Sequence, residues 1–407
     1  MSSENSIRDT KKKSILKRFL LLTSLSDGTA EEALLLWAVI SVWLHFVACG
    51  AIMVVLFFCT LLVPGIRKAM LSERQFFLFG CVIAAFSMLV SVIAWNLIGM
   101  AISFGVTVAI SIGCAVKSTA NADRVKKMHV ICSVGSVISV FTALYQKFFI
   151  HGDNLKNYRP TAVAFNANYY GMLIVMTMLI CIYNVLDGKK TSKGVWYDRG
   201  RIFYISVFIL NGAALYLSES RSSLLALMVC TVFYLLITKR YLLFSAAVVV
   251  AGGIIALGWF FPDLLSWTNS LAASFTQRYD IWMESLRSFS QNPYTMLLGR
   301  GPMTYYLVRD AEELIVADHA HNFLFDTLLN VGIIGTAMYL LLFVYFIKEI
   351  IKAMKNGNRV GFILAPVFVL QILVQGIADV TIIWHQCAML FILNFAFVGP
   401  EKRLTDK

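Results

Sequence analysis

Charged residues are scarce in this sequence. Of its 407 residues, 14% are Asp, Glu, Lys or Arg and 59% are hydrophobic, and the mean hydropathy is +0.74. Soluble domains carry about 25% charged residues, so a soluble core does not explain this deficit. Apolar stretches of roughly 18 to 25 residues recur along the chain, and that length crosses a bilayer as a helix. The sequence therefore predicts an all-α, polytopic membrane protein without a second folded domain.

The sequence pattern also predicts neither a cysteine motif nor a cleavable leader. The eight cysteines all fall within apolar segments, and no pair has the spacing of a zinc or redox motif. They are interpreted as small core residues. The polar, basic stretch from Ser2 to Arg18 is not followed by a short apolar region with a cleavage site. The first long helix is therefore expected to act as an uncleaved anchor.

The net charge of +12 comes from basic residues grouped in short loops between apolar segments. Such grouping is typical of cytoplasmic loops, so nucleic-acid binding is not expected. Ten apolar segments are separated by loops that alternate in basic content, and an eleventh stretch, 31–66, has the length of one long helix or two short ones. The ten segments are 75–94, 95–117, 128–149, 168–187, 201–218, 221–238, 241–261, 323–347, 361–376 and 378–398.

The alternation of basic loops sets the orientation. The basic N-terminus belongs inside, and this requires an even number of helices, hence two in 31–66 that turn near Cys49–Gly50 and about twelve overall. One long loop then lies outside, and its 274–289 stretch has the spacing of an amphipathic surface helix. The predicted parts are a cytoplasmic segment 1–30, a first helix bundle 31–261, an extracytoplasmic loop 262–320, C-terminal membrane helices 321–398 and a cytoplasmic tail 399–407.

The outer segments of this topology contain several cationic side chains. Arginine stays protonated and holds phosphate oxygens through a planar fork of donors. Histidine titrates near neutrality and is suited to accept a proton from a hydroxyl group. Such a set favours an anionic substrate and transfer from a diphosphate-linked donor. The candidate residues are Arg159, Arg221, Arg278, Arg300, His319, His321 and Asn322.

Simpler interpretations compete with this one. An arginine at a helix end, such as Arg221, is often an interfacial anchor, and Arg278 has Asp280 and Glu284 nearby as surface ion-pair partners. His319 and His321 form a His-x-His pair that would hold a metal together with Asp318. A site without metal is favoured, because the outer segments hold no cysteine and no other histidine except His151.

Three sequence motifs resemble the O-antigen ligase and polysaccharide polymerase superfamily, whose members are bacterial Wzy-type polymerases and ligases with a GT-C-like membrane fold. The motifs are Ser-Arg-Ser-Ser-Leu-Leu-Ala at 220–226, Gln-Arg-Tyr-Asp-Ile-Trp at 277–282, and His-Asn-Phe-Leu at 321–324 followed by Val-Gly-Ile-Ile-Gly at 331–335. The resemblance covers about 205–340 well. In the first half of the chain, the resemblance depends on the number of helices and on the 159–168 stretch.

The resemblance implies a metal-independent glycan transferase without cofactors in the bacterial inner membrane, acting outside the cytoplasm on undecaprenyl-diphosphate-linked glycans. Arg221 and Arg278 would neutralise the diphosphate leaving group, and His321 would act as the base or position the acceptor. Arg159, Arg300, His319 and Asn322 would support substrate binding. The acceptor is a glycan or lipid, and a chain-length regulator is a candidate partner.

Two subclasses of this superfamily stay open. A polymerase joins one lipid-linked glycan to another, whereas a ligase moves the glycan onto lipid A-core or another surface acceptor. The 166–171 stretch slightly favours a polymerase. A non-enzymatic lipid-glycan flippase is the alternative from another class. It is disfavoured because the polar residues face one side of the membrane and few charges lie within the predicted helices.

Overall fold

The computed structural model describes residues 29–151, 158–188, 199–260, 271–308 and 318–398. The predicted cytoplasmic tail 399–407, nearly all of the segment 1–30, and parts of the outer loop, including Trp267, lie outside the described residues. Within the described part the chain is helical and contains no strand. This confirms the all-α class.

The helices are numbered α1 to α16 in chain order. They are α1 Ala30–Val42, α2 Phe46–Leu62, α3 Pro64–Ser72, α4 Arg74–Ile93, α5 Leu97–Ser118, α6 Ala122–Tyr145, α7 Ala167–Leu186, α8 Arg199–Ser218, α9 Arg221–Ile237, α10 Tyr241–Phe260, α11 Leu271–Phe289, α12 Pro293–Leu298, α13 Thr304–Val308, α14 Phe323–Lys355, α15 Arg359–Gly376 and α16 His385–Phe395. A π-helical turn, Gln146–Ile150, extends α6, and a 3₁₀ turn, Thr381–Ile383, precedes α16.

Seven helices of the described part are long and apolar enough to cross a membrane: α4, α5, α6 with its π turn, α7, α8, α14 and α15. The pair α2 and α3, bent by 91°, gives an eighth span if it is counted as one. Three shorter apolar helices lie on α9, α10 and α16. The chain is therefore a multi-pass membrane protein, while the expected number of about twelve spans stays a prediction.

The 31–66 stretch contains two helices, α1 and the start of the bent α2–α3 pair. The turn between them lies at Trp43–His45 and not at Cys49–Gly50, where the sequence pattern placed it. Pro64 explains the second bend, because proline is favoured in the first turn of a helix and cannot continue one.

The core surrounds α7, which is the most buried of the long helices and packs against α8, α9 and α6. Its apolar side chains are buried nearly all around, as expected of a helix enclosed by other helices. The helices at the periphery of the bundle instead expose large apolar side chains such as Val82, Ile138, Ile209 and Leu340. In a membrane protein these side chains face lipid, which is as apolar as the protein core.

Charged groups tie the helices together at the end of the bundle where α7 finishes. Lys117 forms ion pairs of 3.1 Å with both Glu73 and Glu349, and only 6% of its side chain is exposed. Asp187, just after α7, accepts from Arg240 and Arg359. Asn168 lies at the opposite end of α7, in its first turn. The bundle therefore has polar groups at both ends of this helix.

Candidate functional site

The two histidines of the predicted site lie on a tight turn just before α14. Asn322 closes the first turn of this helix, because its Oδ1 accepts from the backbone N–H groups of Leu324 and Phe325. The buried Asp326 reaches back and accepts from the N–H of Ala320. His321 has a φ of +49°, which is rare for a residue with a side chain. The turn is therefore held from both sides in a strained conformation, and such strain is common at functional sites.

Asp379 joins the two histidines. Its Oδ1 lies 2.5 Å from Nε2 of His319 and 3.4 Å from Nδ1 of His321. Asp379 and His319 are almost completely buried, whereas 26% of the His321 side chain is exposed. Nδ1 of His321 is buried. The Nε2 edge of His321 is therefore the edge that faces an incoming group.

Electrostatics favour a charged His319–Asp379 pair. Burial alone lowers the pKa of His319, but the hydrogen bond to Asp379 and its charge outweigh burial and raise it. Burial alone raises the pKa of Asp379, but the hydrogen bond with His319 and the positive charges of both histidines bring it far below the usual carboxyl range. Asp379 is thus a buried carboxylate beside two imidazoles.

Asn168 connects this group to the first of the predicted arginines. Its Nδ2 donates to Oδ2 of Asp379 at 2.5 Å, and its Oδ1 accepts from Nη2 of Arg159 at 2.8 Å. The same Oδ1 accepts from the hydroxyl of Ser220 at 3.1 Å. Nε of Arg159 donates to the backbone carbonyl of Ser218. One amide side chain therefore links the outer segment 158–166, the start of α9 and Asp379.

The three predicted arginines lie within electrostatic range of one another. Burial lowers the pKa of Arg159, the charges of Glu219 and Asp379 raise it, and the positive charge of Arg278 lowers it further. Arg221, the first residue of α9, is within range of both Arg159 and Arg278. Three cations near a helix N-terminus, which is itself partly positive, produce a strongly positive local field. Such a field favours a multiply charged anion.

The turn that carries Arg221 is built for close approach. Glu219 has a φ of +51°, and the Ser220 and Ser223 hydroxyl groups lie 2.8 Å apart at the start of α9. A Cβ on Gly171 of α7 would come within 2.5 Å of the Ser223 hydroxyl. The absence of a side chain at Gly171 thus allows α9 to bring Arg221 beside α7.

Arg278 lies on α11, in the outer loop, and is half-buried. Among the described residues it forms no ion pair with Asp280 or Glu284, and Glu284 pairs with Arg287 instead. The surface ion pair that the sequence offered as a simpler explanation for Arg278 is therefore absent from the described part of the chain. The helix is anchored to α14 by a small core of Ile281, Tyr305 and Leu329.

Two predicted substrate-binding residues have other partners. Nη2 of Arg300 donates to Oε1 of the exposed Gln291, and the backbone N–H of Arg300 donates to the carbonyl of Asn330. No contact in the described part of the chain joins Arg300 to the arginine and histidine cluster. Asn322 serves as the cap of α14, and its Nδ2 donates to the carbonyl of Ile377. For both residues the observed contacts are structural.

His319, His321 and Asp379 have ligand atoms within 4.8 Å of one another, as a metal site would require. The sequence suggested Asp318 as the carboxylate of such a site, and the structure places Asp379 there instead. Two ligands at about 2.0–2.2 Å from a tetrahedral zinc ion lie roughly 3.3 Å apart. The 2.5 Å between Nε2 of His319 and Oδ1 of Asp379 is shorter than that, because the two groups share a short hydrogen bond. The same three side chains are also suited to acid–base chemistry.

The sequence assigns no role to Asp379 or Asn168. In the sequence Asp379 is only an acidic residue near the outer end of an apolar segment. A charge in such a position is rare enough to indicate function. The structure adds that 377–380 is not helical, so the predicted segment 378–398 begins with a short non-helical stretch that carries Asp379. This break lets the carboxylate face the 318–322 turn.

Fold and site together define an all-helical, multi-pass membrane protein with a polar, cationic cluster at one end of its bundle. A family model described as O-Antigen ligase (Wzy_C) matches residues 206–340, about a third of the chain. This match confirms the resemblance over residues 206–340, where the chain is similar to the O-antigen ligase family. All three motifs that indicated the family lie within the matched stretch. No curated protein shows significant similarity to the chain.

Proposed function

We propose that this protein is an extracytoplasmic, metal-independent glycan transferase that uses an undecaprenyl-diphosphate-linked glycan as donor. The observation that carries the proposal is the single cluster formed by Arg159, Arg221 and Arg278 with His321 and Asp379. A membrane protein that only moved lipid across the bilayer would need polar groups along a path through both leaflets. Here the cationic groups suited to a diphosphate lie together at one end of the bundle, and the ion pairs at the other end join helices to one another.

The arginines account for the leaving group. A diphosphate that departs from a sugar develops negative charge on its oxygens, and fixed cations lower the energy of that transition state. Arg221 is the first residue of α9 and Arg278 lies on α11, and both side chains are partly exposed. Arg159 is held by Ser218 and Asn168, so its charge is fixed in place before substrate arrives.

His321 accounts for the acceptor. The acceptor hydroxyl oxygen forms a bond to the anomeric carbon, and the bond from that carbon to the diphosphate oxygen breaks. The diphosphate keeps the electron pair, and the hydroxyl proton passes to Nε2 of His321. Asp379 beside Nδ1 orients the imidazole and stabilises its protonated form, as a carboxylate does for the histidine of other acid–base groups. Every bond and proton is accounted for without a metal ion.

The polymerase reaction is slightly favoured over ligation, because the 166–171 stretch resembles that of polysaccharide-producing members. In a polymerase the acceptor is a second lipid-linked glycan, and in a ligase it is lipid A-core or another surface acceptor. A chain-length regulator is the expected further partner of a polymerase. The proposed location is the bacterial inner membrane, with the cluster on its extracytoplasmic face.

The test uses purified protein in detergent with an undecaprenyl-diphosphate-linked glycan, with and without a chelator. We expect His321→Ala, Arg221→Ala and Arg278→Ala each to abolish transfer while the protein still accumulates in the membrane. His45→Ala and Arg287→Ala are matched controls, because both side chains are exposed and Arg287 lies on the same helix as Arg278. Both control variants should retain wild-type transfer.

The products separate the alternatives. A ladder that grows from donor alone, insensitive to chelator, supports a polymerase. Transfer that requires a separate acceptor supports a ligase. Loss of transfer on chelation would overturn metal independence. Absence of transfer under all conditions, together with lipid movement across vesicles, would replace the enzyme by a flippase.

A further inference from the structure

Two glutamines of α15, Gln371 and Gln375, are completely buried inside the bundle. They are four residues apart and therefore lie on the same face of a helix that is long and apolar enough to cross the membrane. A buried amide is unfavourable unless its polar atoms have hydrogen-bond partners, and polar side chains inside membrane helices often have a functional role. The partners of this pair lead from the membrane interior to the candidate site.

A continuous hydrogen-bond chain runs from these glutamines to Asn168. Nε2 of Gln371 donates to Oε1 of Gln375 at 3.2 Å, and Nε2 of Gln375 donates to the hydroxyl of Ser223 on α9 at 2.8 Å. The hydroxyl oxygens of Ser223 and Ser220 lie 2.8 Å apart, and the Ser220 hydroxyl lies 3.1 Å from Oδ1 of Asn168. Both serines are buried, so these hydrogen bonds are shielded from water.

The α15 end of the hydrogen-bond chain fixes the direction in which its bonds run. Nε2 of Gln371 also donates to the backbone carbonyl of Met172 on α7 at 3.1 Å, and a carbonyl oxygen only accepts. Because the Gln371 nitrogen is the donor, the Gln375 atom that it meets is the amide oxygen, and the Gln375 nitrogen faces Ser223. The Ser223 hydroxyl accepts from that nitrogen and is left to donate to Ser220.

The cluster end fixes the same direction. Arg159 carries donors only and donates to Oδ1 of Asn168, so Nδ2 of this amide is the atom that donates to Asp379. Since Oδ1 of Asn168 only accepts, the Ser220 hydroxyl donates to it and accepts from Ser223. Both ends therefore require one and the same arrangement of hydrogens, in which each donor points toward Asp379.

Gln375 also supports the backbone that carries Asp379. The helix α15 ends at Gly376, and the backbone carbonyl of Gln375 accepts from the N–H of Asp379 at 2.8 Å. The side chain of the same glutamine acts on Oδ2 of Asp379 through the hydrogen-bond chain, and Oδ1 of Asp379 lies beside the histidines. A small shift of this carboxylate changes its contact with His321, on which the proposed proton transfer depends.

We propose that Gln375 and Ser223 are positioning residues for glycan transfer. Through Ser220 and Asn168 they hold Oδ2 of Asp379, so that Oδ1 stays directed at the two histidines. The inference rests on the proposed function for the reaction itself, and it adds two buried residues of the membrane interior that act on the cluster indirectly. The competing explanation is that both side chains only help α15 to pack against α9.

Two variants interrupt the hydrogen-bond chain, and each has a matched control. Ser223→Ala removes a hydroxyl from its middle, and Gln375→Met removes the amide with little change in side-chain volume. Ser111→Ala is the control for the first, because Ser111 is a buried serine of α5 whose hydroxyl donates within its own helix. Gln386→Met is the control for the second, because Gln386 is a buried glutamine of α16 whose Nε2 donates to backbone carbonyls. Both controls remove the same groups from the core at positions outside the hydrogen-bond chain.

The experiment measures kcat and KM for the undecaprenyl-diphosphate-linked donor with each variant, alone and combined with Asn168→Ala. Ser223→Ala and Gln375→Met should each lower kcat roughly tenfold, the effect of weakening one hydrogen bond to an ionised group, while KM changes little. In the Asn168→Ala background neither should lower kcat further, because the hydrogen-bond chain no longer reaches Asp379. Both controls should keep the kcat of their parent protein. A second loss of similar size in the Asn168→Ala background, or wild-type kcat for both single variants, would overturn the proposal.

A second measurement does not require transfer. Thermal unfolding in detergent gives the loss in Tm for Ser223→Ala, for Asn168→Ala and for the double variant. Two groups of one hydrogen-bond chain should give a combined loss smaller than the sum of the single losses, whereas the losses for Ser111→Ala and Asn168→Ala should add. Additive losses for Ser223→Ala and Asn168→Ala would overturn the proposal even if wild type is active. If wild type transfers no glycan, the proposed function fails, and the Tm measurements still decide whether Ser223 is coupled to Asn168.

Discussion

At the scale of single residues, the candidate site depends on how one buried carboxylate is shared. Oδ1 of Asp379 meets both histidines, and its Oδ2 meets Asn168. A buried charge is costly unless it is paired and hydrogen-bonded, and here both oxygens have partners. His319 neutralises the charge, and His321 keeps an exposed edge. The two histidines of the His-x-His pair thus differ, since His319 is buried and His321 is partly exposed. Their positions in the sequence do not distinguish them.

The first prediction concerns Asp379→Asn, which keeps the shape of the side chain and removes its charge. We expect kcat for glycan transfer to fall roughly 100-fold or more, because His321 loses the group that orients it and stabilises its protonated form. KM for the donor should change little, since the arginines remain. Steady-state kinetics on purified protein measure both values. Asp280→Asn, on the exposed side of α11, is the control and should behave as wild type.

The pH dependence of stability gives an independent readout of the same variant. The pKa of Asp379 is lowered, so its contribution is present above the ordinary carboxyl pKa and is lost as pH falls toward the lowered value. The pKa of His319 is raised, so its contribution is full below about 6.5 and is lost as pH rises through the raised value. The Tm of wild type in detergent should therefore decline above neutral pH more than that of Asp379→Asn. Parallel curves would show that the pair is not charged.

At the scale of elements, α14 is two helices in sequence. Gly332 has φ +64° and ψ −169°, which interrupts the helix one-third of the way along. The outer piece carries Asp326 and Asn330, and the Asn330 carbonyl accepts from the N–H groups of Arg300 and Gly301. The break lets this outer piece of α14 turn toward the outer loop. The piece then contacts the α11–α13 region and also begins directly after the histidine turn. It therefore connects the helix that carries Arg278 to the turn that carries His321.

The second prediction is that Gly332→Ala destabilises the protein and lowers transfer. A Cβ at this position would lie 2.4 Å from backbone atoms of Leu297, and the backbone conformation is one that glycine alone adopts easily. The conformational strain alone costs about 1–3 kcal/mol. A thermal shift measured in detergent checks the loss of stability. Gly252→Ala, where a Cβ meets nothing within 4 Å, should leave Tm unchanged, and an unchanged Tm for Gly332→Ala would show that the break is not required.

At the scale of the whole molecule, the two ends of the bundle differ in their charges. One end holds the arginine and histidine cluster at the starts of α7, α9 and α14. The other holds the ion pairs of Lys117 and of Asp187 at the ends of α5 and α7. Basic loops are retained on the cytoplasmic side, so we expect the end with Arg240, Lys352 and Lys355 to lie inside. This expected orientation would put the cluster outside.

The third prediction tests this orientation by cysteine labelling. Seven of the eight native cysteines are buried and the eighth is partly buried, so they should react slowly with a membrane-impermeant thiol reagent. Ser290→Cys, exposed after α11, should react in right-side-out inner-membrane vesicles. Lys355→Cys, exposed at the end of α14, should react in inverted vesicles. The reverse pattern would place the cluster on the cytoplasmic face and exclude the proposed donor.

Much of the fold class and part of the candidate site could be predicted from the sequence, because both depend on local composition. Long apolar runs specify membrane helices wherever they occur, and the family motifs at 220–226, 277–282 and 321–324 are short and continuous. These motifs alone are enough to single out Arg221, Arg278 and His321. The number of spans was less accessible, since short helices such as α1 and α16 fall below the length that hydropathy alone assigns to a crossing.

Only the tertiary structure decided which polar groups share a site. Asn168 and Asp379 are 211 positions apart, and nothing in local composition indicates that the amide donates to the carboxylate. The sequence also did not predict that Asn322 caps α14 or that Arg300 donates to Gln291. Side-chain partnership depends on how helices from distant parts of the chain pack, whereas membrane insertion depends on each segment alone. The sequence by itself therefore determined the class of protein, and the packing of its helices determined which side chains form the cluster.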